Sequence, residues 1–263
     1  MSTGSLTVAG VGIKVPAHVT IEARVAIETA DEVLYLVTNP VAVEWIEKHA
    51  SRARSLHEFY EPGRDRRESY AEMVAEILEA VRRGAAVCAV FYGHPGVFVS
   101  PSDDAIRRAR SEGFEARMLP GISAEDCLFA ALGVDPSRFG CQTYEATDLI
   151  ARARPIDTTA ALIVWQIGVV GNLTFTPEGD LSRLGLLVDY LLRFYPADHE
   201  VVWYEASLYS VLDDVIVRCP LSALLETDVS PMATLYVPPS TSRRIDRALS
   251  DVLFQEVAAA ARH

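Results

Sequence analysis

Between residues 66 and 92 the spacing of apolar positions changes from helical to continuous. Tyr70, Met73, Val74, Ile77, Leu78 and Val81 recur at intervals of three and four, the stripe of a helix that buries one face. Pro62-Gly63 breaks the chain ahead of it. Asp65 is placed to cap its start, with Glu68 three residues on in capping-box position. Gly84 closes it after Arg82 and Arg83, whose charges suit the carboxyl-terminal dipole. Residues 86–92 (AVCAVFY) are then apolar without interruption, which predicts a strand buried on both faces. Gly93-His94-Pro95-Gly96 follows at the strand's carboxyl end, where open α/β sheets bind ligands.

The same reading extends over the rest of the chain. Residues 5–11 predict a first strand, running into Gly10-Val11-Gly12. No third glycine completes a dinucleotide fingerprint and no G-K-[ST] completes a phosphate loop, so this turn reads as a tight strand-to-helix connection. A helix over 21–30, a strand over 33–37, a helix from Pro40 through Trp45 and Ile46, and a short strand at 54–56 lead to the central stretch. Beyond it come a helix over 102–111 closed by Gly113, a strand over 114–119, and the break Pro120-Gly121. Ser123 caps a helix over 124–132. Strands alternating with helices predict a parallel sheet with right-handed crossovers.

The second half reads as strands at 141–145, 160–167, 199–206, 215–218 and 232–237, with 220–225 between the last two and an apolar-rich helix over 181–194 ended near Pro196. The expected organisation is a 1–120 α/β domain, a 121–240 α/β domain and a 241–263 helical tail. In the tail Ile245, Leu249, Val252, Leu253 and Val257 keep helical spacing, for a partner face or for packing back on the same domain.

Composition removes several classes of function. Half of the 263 residues are hydrophobic, ample for a core. The net charge of -12 argues against sequence-independent nucleic-acid binding, which relies on many cations. Cys88, Cys127, Cys141 and Cys219 form no C-x-x-C pair and no zinc spacing, and the six histidines form no H-E-x-x-H, so no metal site is expected. The start of the chain lacks a basic segment followed by a long apolar one, and the longest apolar stretch, 160–170, is too short to span a bilayer. A cytoplasmic protein is expected.

The candidate chemistry lies on the central helix. Arg66 and Tyr70 are four apart and share a face near the N-terminus, where amide dipoles favour negative charge. A phenolate or developing oxyanion would be stabilised there, and Tyr60 and Tyr92 could converge on it. Spacing alone favours a plainer reading, in which Tyr70 tops a core stripe and Arg66 is solvated.

The segments Arg66-Arg67-Glu68-Ser69-Tyr70-Ala71-Glu72-Met73, Phe91-Tyr92-Gly93-His94-Pro95-Gly96-Val97-Phe98 and Pro120-Gly121-Ile122-Ser123-Ala124-Glu125 resemble the borosin peptide backbone α-N-methyltransferases. These belong to the wider tetrapyrrole-methylase class of S-adenosylmethionine (SAM) enzymes. The resemblance runs from about Gly4 to Pro239. The tyrosine–arginine set and the YGHPGVF loop are specific to the peptide-methylating branch; PGIS and the terminal TLYVPP are shared by the class. Many members of the class carry an aspartate where His94 stands, and His57 takes the place of another family aromatic.

The resemblance implies a tetrapyrrole-methylase-like α/β fold with the cofactor between two domains, and a product S-adenosylhomocysteine. It implies cofactor contacts from His94, Val97, Phe98, Ser123, Ala124, Gln166, Tyr204, Ala233 and Thr234, and a catalytic set Tyr60, Arg66, Tyr70 and Tyr92. The implied activity is backbone N-methylation of a ribosomally synthesised precursor in borosin biosynthesis, by a homodimer. Two other functions share the cofactor: a tetrapyrrole or other small-molecule methyltransferase, and a non-catalytic SAM-binding peptide chaperone. Only 24 residues follow Pro239, and they hold no run of β-branched residues resembling a core peptide. The expectation is therefore a split system, in which the substrate is a separate precursor peptide.

Overall fold

The structure is a computed structural model that describes residues 4–241, 246–250 and 252–253. Its first half is a sheet of five parallel strands, β1 (Ser5–Gly10), β2 (Glu32–Leu36), β3 (Ala53–Ser55), β4 (Ala86–Phe91) and β5 (Glu115–Leu119), in the order β3-β2-β4-β1-β5. Four helices cross between them: α1 (Ile21–Thr29), α2 (Pro40–His49), α3 (Arg66–Arg82) and α4 (Ser100–Ser111).

The continuous apolar run of β4 is explained by its two covers. Val87, Ala89 and Phe91 pack with α3 and α4, whereas Cys88 and Val90 pack with α1 and α2. Alternate side chains point to opposite faces, so a strand covered twice has no polar position. On α3 the stripe Met73, Val74, Ile77, Leu78 and Val81 is buried, and each such side chain contributes about 1.5–3 kcal/mol by leaving water.

The second half begins with α5 (Ala124–Leu132) and forms a mixed sheet. Its strands are β6 (Cys141–Glu145), β7 (Ala161–Trp165), β8 (Glu200–Glu205), β9 (Val215–Pro220) and β10 (Thr234–Val237), in the order β6-β7-β10-β8-β9. Only β6 and β7 run parallel. Two short helices, α6 (Ala146–Ala151) and α7 (Leu184–Leu191), complete it. The inner residues Leu162 and Val164 of β7 pack with α7, while Ala161, Ile163 and Trp165 face a second cluster. That cluster joins the halves: Ile13 and Tyr92 from the first meet Leu128, Tyr204 and Tyr236 from the second.

Several sequence expectations are corrected. The capping box of Asp65 and Glu68 does not form. Asp65 Oδ1 accepts from the Arg67 N–H at 2.9 Å, but Glu68 lies exposed and is held by Arg64 at 3.3 Å. The guanidinium next to it is a stronger partner than a main-chain N–H. The box at Ser123 forms with Asp126 instead. The strand expected over 160–167 stops at Trp165, because Gln166 turns left-handed at φ 58°. The helix expected over 181–194 is a 3₁₀ turn, Leu181–Arg183, followed by the eight-residue α7. Helix α6 has no counterpart in the sequence reading; its buried residues are only Ala146 and Leu149, too few to show a period.

The helix expected over 242–261 lies largely outside the described residues. The described part, 247–250 and 252–253, is helical, with Leu249, Val252 and Leu253 exposed. Among the described residues no helix is long and apolar enough to cross a membrane.

Candidate functional site

The first sheet changes direction between β1 and β4. From β1 the chain crosses to β2 on one side, and from β4 it crosses to β5 on the other. The crevice opens at the carboxyl ends of these two strands. There the two turns are fused: the Gly12 N–H donates to the Gly93 carbonyl at 3.2 Å, and the Gly93 N–H donates to the Gly12 carbonyl at 3.0 Å. A Cβ on Gly10 would stand 2.2 Å from the Gly93 oxygen, and one on Gly121 would stand 2.6 Å from it. The glycines of these strand-end loops therefore let backbone touch backbone.

Beside the crevice, α3 presents the expected catalytic set. Tyr60 follows a 3₁₀ turn, His57–Phe59, and its ring meets that of Tyr70 edge-on at 6.2 Å. Tyr60, Tyr70 and Tyr92 line one recess of about 140 Å³, closed by Leu36, Phe91, Phe98, Val99 and Pro101. Tyr70 and Phe98 also line a larger cavity of about 630 Å³, with Arg66, Arg67, Gln166, Asn172 and the start of α6. The structure thus brings the three tyrosines together at one recess, with Arg66 across Tyr70 from it.

Burial, then the neighbouring Tyr70, pushes the Tyr60 phenol far above the ordinary tyrosine value, and Arg66 pulls it back only in part. Burial also raises the Tyr92 phenol, helped by the charges of Cys127 and Glu205. Both phenols stay protonated at neutral pH and act as donors. The thiols offer no nucleophile: burial pushes Cys88 up to about 12 and Cys127 and Cys141 up to about 11.

The hydrogen bond of the Arg66 guanidinium goes across the cleft, to the main-chain carbonyl of Asn172. That residue opens a strap, 171–176, which lies antiparallel along 63–66. The Arg66 N–H donates to the Leu173 carbonyl at 2.9 Å, the Phe175 N–H to the Arg64 carbonyl at 2.8 Å, and the Gly63 N–H to the Phe175 carbonyl at 3.0 Å. Sequence reasoning missed this strap. GNLTFT has no apolar period, and nothing local marks its partner.

The nine expected cofactor residues fall into two groups. Phe98 and Gln166 line the larger cavity, and both are left-handed, at φ 54° and 58°. Non-glycine residues held in this region concentrate at functional sites. Phe98 is 44% exposed, and its ring lies 5.1 Å from that of Trp165. His94 and Val97, just before Phe98, and Ala124, at the start of α5, are half-buried, the His94 Nδ1 accepting from the Gly96 N–H at 2.9 Å. The other four are buried. Ser123 gives its N–H and hydroxyl to Asp126, at 2.7 and 2.8 Å. The Tyr204 hydroxyl donates to Asp214 at 2.7 Å, and Asp214 also holds Lys14 at 2.9 Å. Ala233 and Thr234 sit beside it at the start of β10. A nucleoside with a charged amino-acid arm fits the first group, which offers an open ring, an amide and a cavity of adequate size. In the second group the Ser123 and Tyr204 hydroxyls are already bonded within the protein. Among the described residues no group of three His, Cys, Asp or Glu side chains could hold a metal ion.

The chain is 42% identical over 241 residues to a methyltransferase/ribosomally synthesized cyclic peptide gymnopeptides precursor of Gymnopus fusipes, a match covering 90% of this chain and 57% of the relative. It is 42% identical over 249 residues to a methyltransferase/ribosomally synthesized type I borosin cyclic peptide precursor of Serendipita vermifera subsp. bescii, covering 92% and 60%. The chain thus spans 57% and 60% of the length of these curated relatives. Among solved structures, uroporphyrin-III-C-methyltransferase from Thermus thermophilus superposes with a TM-score of 0.64 at 18% identity, over 90% of this chain and 93% of that one. The same enzyme complexed with S-adenosylhomocysteine gives 0.60, over 89% and 92%. At that identity the likeness establishes the fold. The model of the tetrapyrrole (corrin/porphyrin) methylases matches residues 5–225, and with this two-sheet fold the chain belongs to that family.

Proposed function

We propose that the protein transfers methyl groups from SAM to backbone amides of a peptide. The observation that carries this reading is the position of Tyr70 at the junction of two spaces. One is the recess holding Tyr60 and Tyr92, and the other is the cavity holding Arg66, Phe98 and Gln166. The printed names of the relatives, methyltransferase and peptide precursor, support the substrate class. The complexed structure of the same fold supports the cofactor.

When bound, SAM supplies an electrophilic methyl group. Phe98, Gln166, His94, Val97 and Ala124 would hold it, with Ser123, Tyr204, Ala233 and Thr234 as the wall behind. The amide nitrogen is a poor nucleophile, because resonance delocalises its lone pair. Removing its proton places much of the resulting charge on the amide oxygen. Tyr60 and Tyr92, protonated at neutral pH and pushed further that way by burial, donate hydrogen bonds to that oxygen. Arg66 adds the positive charge. Tyr70, as phenolate or through a water, takes the proton, since it alone among the three phenols borders both spaces.

The peptide, on this reading, is supplied by a separate chain, and the enzyme works as a homodimer to which the exposed Leu249, Val252 and Leu253 contribute. Intact-mass spectrometry of the purified 263-residue chain with SAM, alone and with a synthetic valine–glycine peptide, tests the proposal. Methyl increments on the peptide amide support it. Increments on the protein alone would show that the substrate lies in the same chain. Binding of SAM without transfer would favour a peptide chaperone, and transfer to a uroporphyrinogen in place of the peptide would favour a tetrapyrrole methylase.

A further inference from the structure

We infer that the strap 171–176 is a positioning element for the reaction, in which Phe175 sets the ring of Tyr60 and Asn172 sets the guanidinium of Arg66. The inference rests on the methyl-transfer reading given above.

Tyr60 is clamped between two rings. Phe175 stacks on it at 4.3 Å with an interplanar angle of 13°, and Tyr70 meets it edge-on. His57 closes the group, 5.6 Å from Tyr60 and 6.1 Å from Phe175. Only Phe175 comes from the second half of the chain. Without its ring, one face of Tyr60 would open, and the burial that raises its phenol above the ordinary tyrosine value would fall.

The strap itself is rigidly built. The Asn172 Oδ1 accepts from the Thr174 N–H and hydroxyl, both at 2.8 Å, and its Nδ2 donates to the Thr176 hydroxyl at 2.8 Å. Arg183 donates to the Gly171 carbonyl at 2.6 Å. These bonds turn the Asn172 carbonyl toward Arg66. The three main-chain bonds to 63–66 then fix the strap on the segment that leads into α3. Helix α3 carries Arg66 and Tyr70 but leaves the directions of Arg66 and of the neighbouring Tyr60 open. The site is complete only when the second half is docked on it.

The test compares Phe175→Ala with Phe175→Tyr in the full chain. Its readouts are kcat and KM for SAM with a synthetic valine–glycine peptide, calorimetric binding of S-adenosylhomocysteine, and the alkaline ultraviolet titration of the phenols. A small misplacement of reacting groups costs up to about 100-fold in rate, so Phe175→Ala should lower kcat by roughly tenfold or more. Affinity for S-adenosylhomocysteine should be unchanged and Phe175→Tyr should restore the rate. One additional phenol should titrate near the ordinary value of about 10 in Phe175→Ala. It should be absent in the double variant Phe175→Ala/Tyr60→Phe. An unchanged kcat, or no additional phenol, would reduce Phe175 to a packing residue and overturn the inference. Absence of any transfer by the wild-type chain would count against the methylation reading on this probe, and the phenol titration would then decide the role of Phe175 by itself.

Discussion

The wall of α3 and the wall formed by β8 and β10 meet the same inter-sheet region with opposite use of their polar atoms. On α3 and just before it, the side chains of Tyr60, Tyr70 and Arg66 border solvent-sized spaces. Around β8, Tyr204, Asp214, Lys14 and the Ser207 N–H form a closed set of hydrogen bonds and one ion pair. The first wall can respond to a ligand; the second holds the two halves of the molecule together. Both contain residues that family resemblance marks for function, so resemblance alone does not separate the two roles. Whether a polar atom already has a partner does.

The largest expected effect lies on α3. Arg66→Ala and Tyr70→Phe should each lower methyl transfer by about 100-fold or more, the usual consequence of losing a group that holds developing charge. Calorimetric affinity for S-adenosylhomocysteine should stay within a factor of two. A matching loss of affinity would move these residues to the binding wall and erase the distinction.

Next comes the backbone contact that brings the strand-end loops together. Gly10→Ala puts a methyl 2.2 Å from a carbonyl oxygen that cannot rotate away. Overpacking of this kind costs about 1–3 kcal/mol. Denaturant unfolding should show it, and wild-type stability would mean that the loops have room to part.

A smaller effect is expected at Tyr204. Tyr204→Phe removes one hydrogen bond but leaves Asp214 with Lys14 and Ser207, so the loss should be about 1 kcal/mol, or roughly 2–4 °C in Tm. The kcat should not change. The same cluster carries a pH dependence. Burial raises the Asp214 carboxyl, but the bonds from Lys14, Ser207 and Tyr204 outweigh it and hold the group below its ordinary value. A depressed carboxyl stabilises the fold above its unfolded value, and the contribution is lost as pH falls through the folded one. Acid unfolding below about pH 4 should therefore begin at higher pH in Lys14→Met than in the wild type. Coincident acid transitions would remove Lys14 from the account.

The least effect is expected on the outer face of α3. Glu68→Ala breaks an exposed pair with Arg64, which keeps Glu72 at 2.6 Å. Neither Tm nor rate should move measurably, as for most surface pairs. A fall in rate would show that the outer face takes part in the reaction.

Much of this arrangement was legible in the sequence because its causes are local or periodic. The uninterrupted run of β4 reports a strand covered on both faces, and the stripe of α3 reports a helix covered on one. Arg66 and Tyr70 share a face because they are four residues apart. Helix α6 escaped notice because a helix of six residues has too few buried positions to show a period. The capping box at Asp65 was misjudged for a different reason. Its signature names two compatible residues, and a neighbouring arginine competed for one of them.

What the sequence by itself determined is most of the type and order of the secondary structure, the two-sheet α/β class, and the place of a candidate catalytic stretch. Each depends on contacts repeated within a few residues. Only the tertiary structure decided that Tyr60, Tyr70 and Tyr92 share one recess, that the Tyr204 hydroxyl is bonded to Asp214, and that Arg66 is held by a carbonyl 106 residues away. The physical reason is that a main-chain carbonyl has the same chemistry at every position. Nothing in the residues of the strap names its partner, so the pairing exists only once both halves have folded and met.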